Sequence, residues 1–279
     1  MNAVRLFVRS MSIRTQKPLK RIGIIGVPFE KGQKKYGVSV APAALRLAGL
    51  VEQLQEIDGL DVQDYGDIDI PNCPEPRSTA VQNMIHLPLV SACNKNLSNQ
   101  VAQVLRDDRV ADMILIWVDA HADINTNKTS GSGSVHGMPV ALLVKELSDY
   151  WPYLPTMDWQ VPKFSIKNLG YIGLRSVDNY ERLAIEKYGV PAFAMEDIQE
   201  YSIVTGGLSL REGIRLMEII HSTGRLRALD LVEINPAIGS DSDRRKTLDA
   251  GLCILKAALG FSRRGTAPRG VMDLPAQTS

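Results

Sequence analysis

An α/β fold, with a mainly parallel sheet flanked by helices, is predicted by three features of the sequence. Apolar, β-branched runs alternate along the chain with helical stretches, the pattern of successive strand–helix units. Two of these runs, Arg21–Val27 and Met113–Val118, read as buried strands. Three metal-ligand side chains, Asp119, His121 and Asp123, directly follow the second run, where open α/β sheets place their ligands.

Composition narrows the class. The chain has 279 residues, with 32 basic and 31 acidic side chains and a net charge of +1, which argues against a dedicated nucleic-acid or membrane-surface binder. No apolar run approaches the roughly 18 to 20 residues of a bilayer span. Cys73, Cys93 and Cys253 are scattered and odd in number, as expected in a reducing compartment.

The amino terminus differs from the rest. Arg5, Arg9, Arg14, Lys17, Lys20 and Arg21 precede the first acid, Glu30, with Leu6, Phe7, Val8, Met11, Ser10 and Ser12 among them. Basic, Ser-containing and acid-free is the composition of a mitochondrial transit peptide, expected over residues 1–20. The mitochondrial matrix is then the expected destination, with the cytoplasm as alternative.

A single domain is expected over residues 21–261. The Arg21–Val27 strand enters a Gly- and Lys-rich loop ending at Tyr36-Gly37-Val38. Ala41–Gln55 is a helix with Pro42 in its first turn, where a missing N–H costs little. Val62–Tyr65 is a short strand and Ser78–Arg106 is mostly helical. After the Met113–Val118 strand come a helix near Pro139–Leu147, a strand at Asn168–Leu174 and a helix around Tyr180–Tyr188. Ser209–His221 is an amphipathic helix, Leu226–Ile234 an apolar strand interrupted by Asp230 and Glu233, and Arg244–Leu259 a closing helix. Residues 262–279 read as a flexible tail. Two junctions, Val110–Met113 and Asp197–Ser209, are too short for a regular alternation, because each βαβ unit needs roughly 30 residues.

The chemistry gathers near the central motif. In an extended chain, alternate side chains share a face, so Asp119, His121 and Asp123 point together, a set suited to Mn²⁺, Fe²⁺, Zn²⁺ or Co²⁺. The loop Asn125–Gly137 contains Asn125, Ser130 and Ser132, placed to hold a substrate, and His136, suited to carrying a proton near neutral pH. Asp178 and Glu181 follow a second strand, at a sheet edge where a ligand would sit. Glu233 lies in an apolar run and needs a partner there, a cationic substrate or an internal Arg such as Arg211.

At these residues the chain resembles the ureohydrolases, arginases most closely. The likeness runs from Lys31-Gly32-Gln33 with Gly37-Val38 through Asp119-Ala120-His121-Ala122-Asp123-Ile124-Asn125-Thr126 and Val135-His136-Gly137. It continues through Tyr171-Ile172-Gly173-Leu174-Arg175 and Gly206-Gly207-Leu208-Ser209 to Asp230-Leu231-Val232-Glu233-Ile234-Asn235-Pro236. The resemblance implies a three-layer α/β/α fold and two Mn²⁺ ions per subunit, in a homotrimer that hydrolyses L-arginine to L-ornithine and urea. It implies Asp119, His121 and Asp123 as metal ligands, His136 as proton shuttle and Glu233 as the guanidinium-binding carboxylate. Asn125, Ser130 and Ser132 match positions that recognise the substrate α-carboxylate, and Asp178, with Glu181 beside it, the α-amino end. An agmatinase-type activity is the alternative substrate class. Two family segments are absent, a Gly-Gly-Asp-His and a Ser-Phe-Asp-Ile-Asp, both bearing metal ligands, and Ser176 replaces a common Asp. Both absences fall at the short junctions, so part of the sheet and of the metal site is expected to be missing. An impaired, non-catalytic subunit is the resulting alternative function.

Overall fold

The computed structural model describes residues 3–10 (as backbone), 20–70, 81, 83–105, 113–195, 197 and 206–262. Seven strands are seen among them: β1 (Ala3–Ser10), β2 (Lys20–Gly26), β3 (Leu60–Asp67), β4 (Leu115–Val118), β5 (Leu169–Leu174), β6 (Ala192–Ala194) and β7 (Ala228–Val232). They form two sheets, one ordered β3-β2-β1-β7 and one ordered β4-β5-β6. All pairings are parallel except those of β1, which is antiparallel to both β2 and β7.

In β2, Ile22 and Ile24 face one side of the sheet and Ile25 the other, so an apolar run without polar alternation fits a strand covered on both faces. On the first side lie the helices α1 (Ala41–Leu47) and α2 (Leu50–Gln55) and the closing helix α7 (Asp241–Leu259), through Leu45, Leu50, Leu54, Leu252 and Leu255. On the other lies α3 (Leu87–Leu105), through Leu87, Val90 and Cys93. Gly23 permits this approach, since a Cβ there would sit 3.1 Å from both Tyr65 and Val104 side chains. The second sheet packs one face against α4 (Pro139–Leu143) and α5 (Asn179–Tyr188), with Tyr171 fully buried between them. The helix α6 (Leu210–Ser222) lies on α7 through Ile214, Met217 and Ala258. This is a three-layer α/β/α arrangement around mainly parallel sheets.

Several expected elements change on folding. The helix expected over Ala41–Gln55 divides at Gly49, whose φ of 87° a helix cannot contain. The Ser78–Arg106 helix begins at Leu87, with residues 78–80 and 82 outside the described set. The closing helix starts at Asp241, because Ser240 and Asp243 form a capping box ahead of Arg244. Strand β6 and strand β1 were not expected. In β1, a period-two pattern (Val4, Leu6, Val8 against Arg5, Phe7, Arg9) sits inside the basic segment read as a leader. The sheet therefore takes in residues that precede the Arg21 start expected for the fold. Residues 110–112 and 203–205, at the two short junctions, lie outside the described residues, as do 263–279 of the expected tail.

Candidate active site

Three parts of the chain converge beyond the C-terminal ends of β2, β4, β5 and β7. The first is the loop after β4. Asp119 and His121 are turned on each other, with the His121 N–H donating to Asp119 Oδ1 at 3.0 Å and Nδ1 at 3.3 Å from the same oxygen. Asp123 follows at φ 51°, a left-handed conformation rare outside glycine, and its carbonyl accepts the Val140 N–H opening α4. Burial, then the charges of Asp119, Glu181 and Glu233, push the Asp123 carboxyl up to about 8.

Asp178 and Glu181, at the start of α5, hold this loop. Asp178 Oδ1 accepts from Tyr180 and Glu181 amides, and Glu181 Oε2 returns the bond from the Asp178 amide, a complete capping box. The other Glu181 oxygen accepts from Ile124 N–H at 3.4 Å, so this buried carboxylate spends both oxygens on backbone. Burial raises its pKa, followed by the charge of Asp178. Asp178 Oδ2 in turn accepts from Asn125 Nδ2 at 2.7 Å, while Asn125 Oδ1 accepts from Thr129. The hydroxyl oxygens of Ser130 and Ser132 accept from the Gly133 and Ser134 amides, at 3.1 and 3.2 Å.

The third part is the Glu233 side. Glu233 directly follows β7 at φ 60°, and its Oε1 stands 3.7 Å from His136 Nδ1. Gln33 Nε2 donates to Oε2 at 3.3 Å. The His136 beside it holds the Glu233 carboxyl below the usual carboxylate range, against the effect of its burial. The partners sequence reading sought in Arg211 are thus His136 and Gln33. The backbone N–H of His136 donates to Gly32 O at 3.0 Å, and Asn235 Nδ2 donates to Tyr36 O at 2.8 Å. The Lys31–Gly37 loop therefore ties His136 and Glu233 together, and Gly37 at φ 106° leaves room for Asn235.

Of the ten expected site residues, Asp119 meets His121, Asn125 and Glu181 meet Asp178, and His136 meets Glu233, with the charges of Asp119, Glu181 and Glu233 reaching Asp123. His121 lies outward and Glu181 supports the loop; among the described residues, Ser130 and Ser132 bond only within their own loop and to Asn83. Gln33, Gly32, Asn83 and Asn235 were not anticipated as part of the site; Asn83 Nδ2 donates to the carbonyls of Asn127 and Ser130. Gly32, Gln33 and Asn235 lie in the motifs Lys31-Gly32-Gln33 and Glu233-Ile234-Asn235, which carry no assigned role, and Asn83 lies in no motif. For a metal, the fit is poor. Among the described residues no three His, Cys, Asp or Glu side chains converge on a point that a cation could occupy. Asp119 and His121 bond to each other, and Asp123 is surrounded by carboxylates without a compensating cation. Among the described residues no two-ion centre is formed.

The profile of the Arginase family matches residues 20–205 and 202–259, the two matches meeting at one of the short junctions. Arginase-1 of Mus musculus is 34% identical over 321 aligned positions, covering 92% of this chain and 97% of that protein. Since 92% of 279 residues is about 257, about 64 aligned positions have no residue of this chain, which is shorter than full arginases. The mitochondrial Arginase-2 of Homo sapiens is 32% identical, over 90% of this chain and 88% of its own length. The native arginase structure from Bacillus caldovelox superposes with a TM-score of 0.74 at 26% identity, covering 86% of this chain and 98% of its own. With a profile match across most of its length and an arginase fold around the site just described, this chain belongs to the arginase family, whose members hydrolyse amidine C–N bonds.

Proposed function

We propose that this is an arginine site of the arginase type, able to hold both ends of L-arginine but weakened in the hydrolytic step. The observation that carries the reading is the Glu233 carboxylate, held ionised beside His136 and near enough to Asp123 to raise its pKa, with Asn125, bonded to Asp178, and then Ser130 and Ser132 following Asp123 in the chain. A carboxylate kept charged in a half-buried place favours a guanidinium ion. Two serine hydroxyls suit an α-carboxylate, which L-arginine has and agmatine lacks. Divalent ions, Mn²⁺ by resemblance, supply a nucleophilic hydroxide in this class of chemistry. Asp119, His121 and Asp123 are the ligands this chain offers them, and they are too few for two ions: their two carboxylates offset about two of four charges. The reading therefore favours a chain of low catalytic output that acts as a non-catalytic subunit, in the homotrimer the resemblance implies. The composition of residues 1–20, with the likeness to a mitochondrial arginase, supports a mitochondrial destination.

Steady-state assay of the purified chain with added Mn²⁺ tests this. Expected are binding of L-arginine in preference to agmatine, and urea release lower than in intact relatives by at least about 10²-fold, the scale of losing one charge-stabilising group. Urea release at the rate of intact relatives refutes the impaired reading, and preference for agmatine refutes the substrate assignment.

A further inference from the structure

Strand β1 occupies the middle of a sheet that would otherwise be two pieces. Its seven register pairs with β2 run from Val4↔Gly26 to Ser10↔Lys20. Its five pairs with β7 run from Ala3↔Val232 to Phe7↔Ala228. In this register Leu6 stands opposite Ile24 and Leu229, and Arg5 opposite Ile25 and Asp230. Among the described residues no pairing joins β2 directly to β7.

The two neighbours of β1 are the strands that lead into the Glu233 side of the site. Beyond β2 the chain reaches Gly32 and Gln33; beyond β7 it reaches Glu233 and Asn235. The bonds Gln33–Glu233 and Asn235–Tyr36 cross between those two loops. They need β2 and β7 to be held one strand apart, since adjacent strands lie roughly 4.8 Å apart and a strand between doubles that spacing. Removing β1 would also leave two facing rows of unpaired backbone N–H and C=O groups.

We propose that residues 3–10 are a positioning strand of the site, and that they are retained in the folded protein rather than removed as a leader. The inference rests on the sheet pairing and not on the destination of the chain or on its metal content. A basic, acid-free segment can serve import while extended and unfolded, then be consumed by the sheet.

Hydrogen–deuterium exchange on the full chain tests it without any variant. Amides in Val4–Arg9 that pair in the sheet should exchange at least about a hundredfold more slowly than in an unfolded peptide. Replacing Leu6 with Pro, which removes a ladder donor, should speed exchange in Lys20–Gly26, Ala228–Val232 and the Gln33 and Glu233 loops. Leu115–Val118 and Leu169–Leu174, in the other sheet, should keep their protection, and Leu6→Ile should behave as the parent. A chain lacking residues 2–11 should lose protection in β2 and β7 and recover it when a peptide of those residues is added, but not with a scrambled one. The proposal is overturned if Val4–Arg9 exchange at unfolded-peptide rates in the parent. It is equally overturned if intact-mass analysis finds a soluble, folded population beginning after Ser10 whose β2 and β7 are protected without the peptide.

Discussion

Tyr171 and Asp123 show how single side chains set up the site. The Tyr171 hydroxyl, fully buried, donates to Ala122 O at 2.8 Å and fixes the backbone between His121 and Asp123. Tyr171→Phe leaves that carbonyl without its donor and should cost about 1–3 kcal/mol in chemical denaturation. Asp123 makes a pH-dependent contribution. Its carboxyl is raised by burial and by three carboxylate neighbours to about 8, whereas in the unfolded chain it titrates near its ordinary value. Between those two values the folded chain holds a proton that the unfolded chain has lost. Stability from this group is full at low pH and falls as pH rises towards 8. Thermal melts of the metal-free chain between pH 5 and 8 should therefore show a decline that is reduced in Asp123→Asn. Equal slopes in parent and variant would contradict the assignment. The residues legible in the sequence at this scale are those whose neighbours are local. Asp119, His121 and Asp123 share a loop, and Asp178 and Glu181 a single capping box. Gln33 and Asn235 act across about 200 positions of sequence, on Glu233 and Tyr36. No local pattern encodes such a partner.

At the scale of elements, α1 is fastened to β3 by Arg46. Its guanidinium bonds both oxygens of Asp64, at 2.7 and 3.0 Å, and reaches Asp67 at 2.5 Å. Burial alone would raise the Asp64 carboxyl; the Arg46 bonds and the Gly66 amide outweigh it and lower it. Arg46→Ala should reduce stability by about 1.5–3 kcal/mol, the range for bonds between charged groups, as read by denaturant midpoint. The apolar runs made β2, β4, β5 and β7 readable, because strands in a mainly parallel sheet are continuous in hydrophobicity. β1 escaped that reading because its arginines outvoted its alternation, and whether such a segment pairs is decided by the gap it fills. Gly49 shows the complementary failure. The helical pattern continues through it, but the chain needs a left-handed residue there to turn α2 back over the sheet.

For the molecule as a whole, the described residues cover the second sheet on one face only. Ile116 and Val118 on β4, Ile172 on β5 and Phe193 on β6 lie on its other face, in register, with Phe193 61% exposed and Ile114 just ahead at 71%. Among the described residues β4 and β7 are both edge strands. Open apolar faces and unpaired edges promote association between copies. Val118→Lys and Ile116→Lys should each delay aggregation in light-scattering assays, and no change would argue that this face is already covered in solution. This exposure agrees with a chain shorter than its relatives by many aligned positions. The family and the strand–helix alternation were thus readable from sequence. The division of the described strands into two sheets was not, because strand order is set by long-range pairing that no local pattern encodes.

The proposed function turns on the metal capacity of a site whose candidate ligands among the described residues, Asp119, His121 and Asp123, do not converge on one point. Equilibrium dialysis of the purified, soluble chain against Mn²⁺, with metal counted by mass spectrometry, measures it directly. At most one weakly held ion per chain, lost in Asp123→Asn, is the expected result; two tightly bound ions per chain would contradict it.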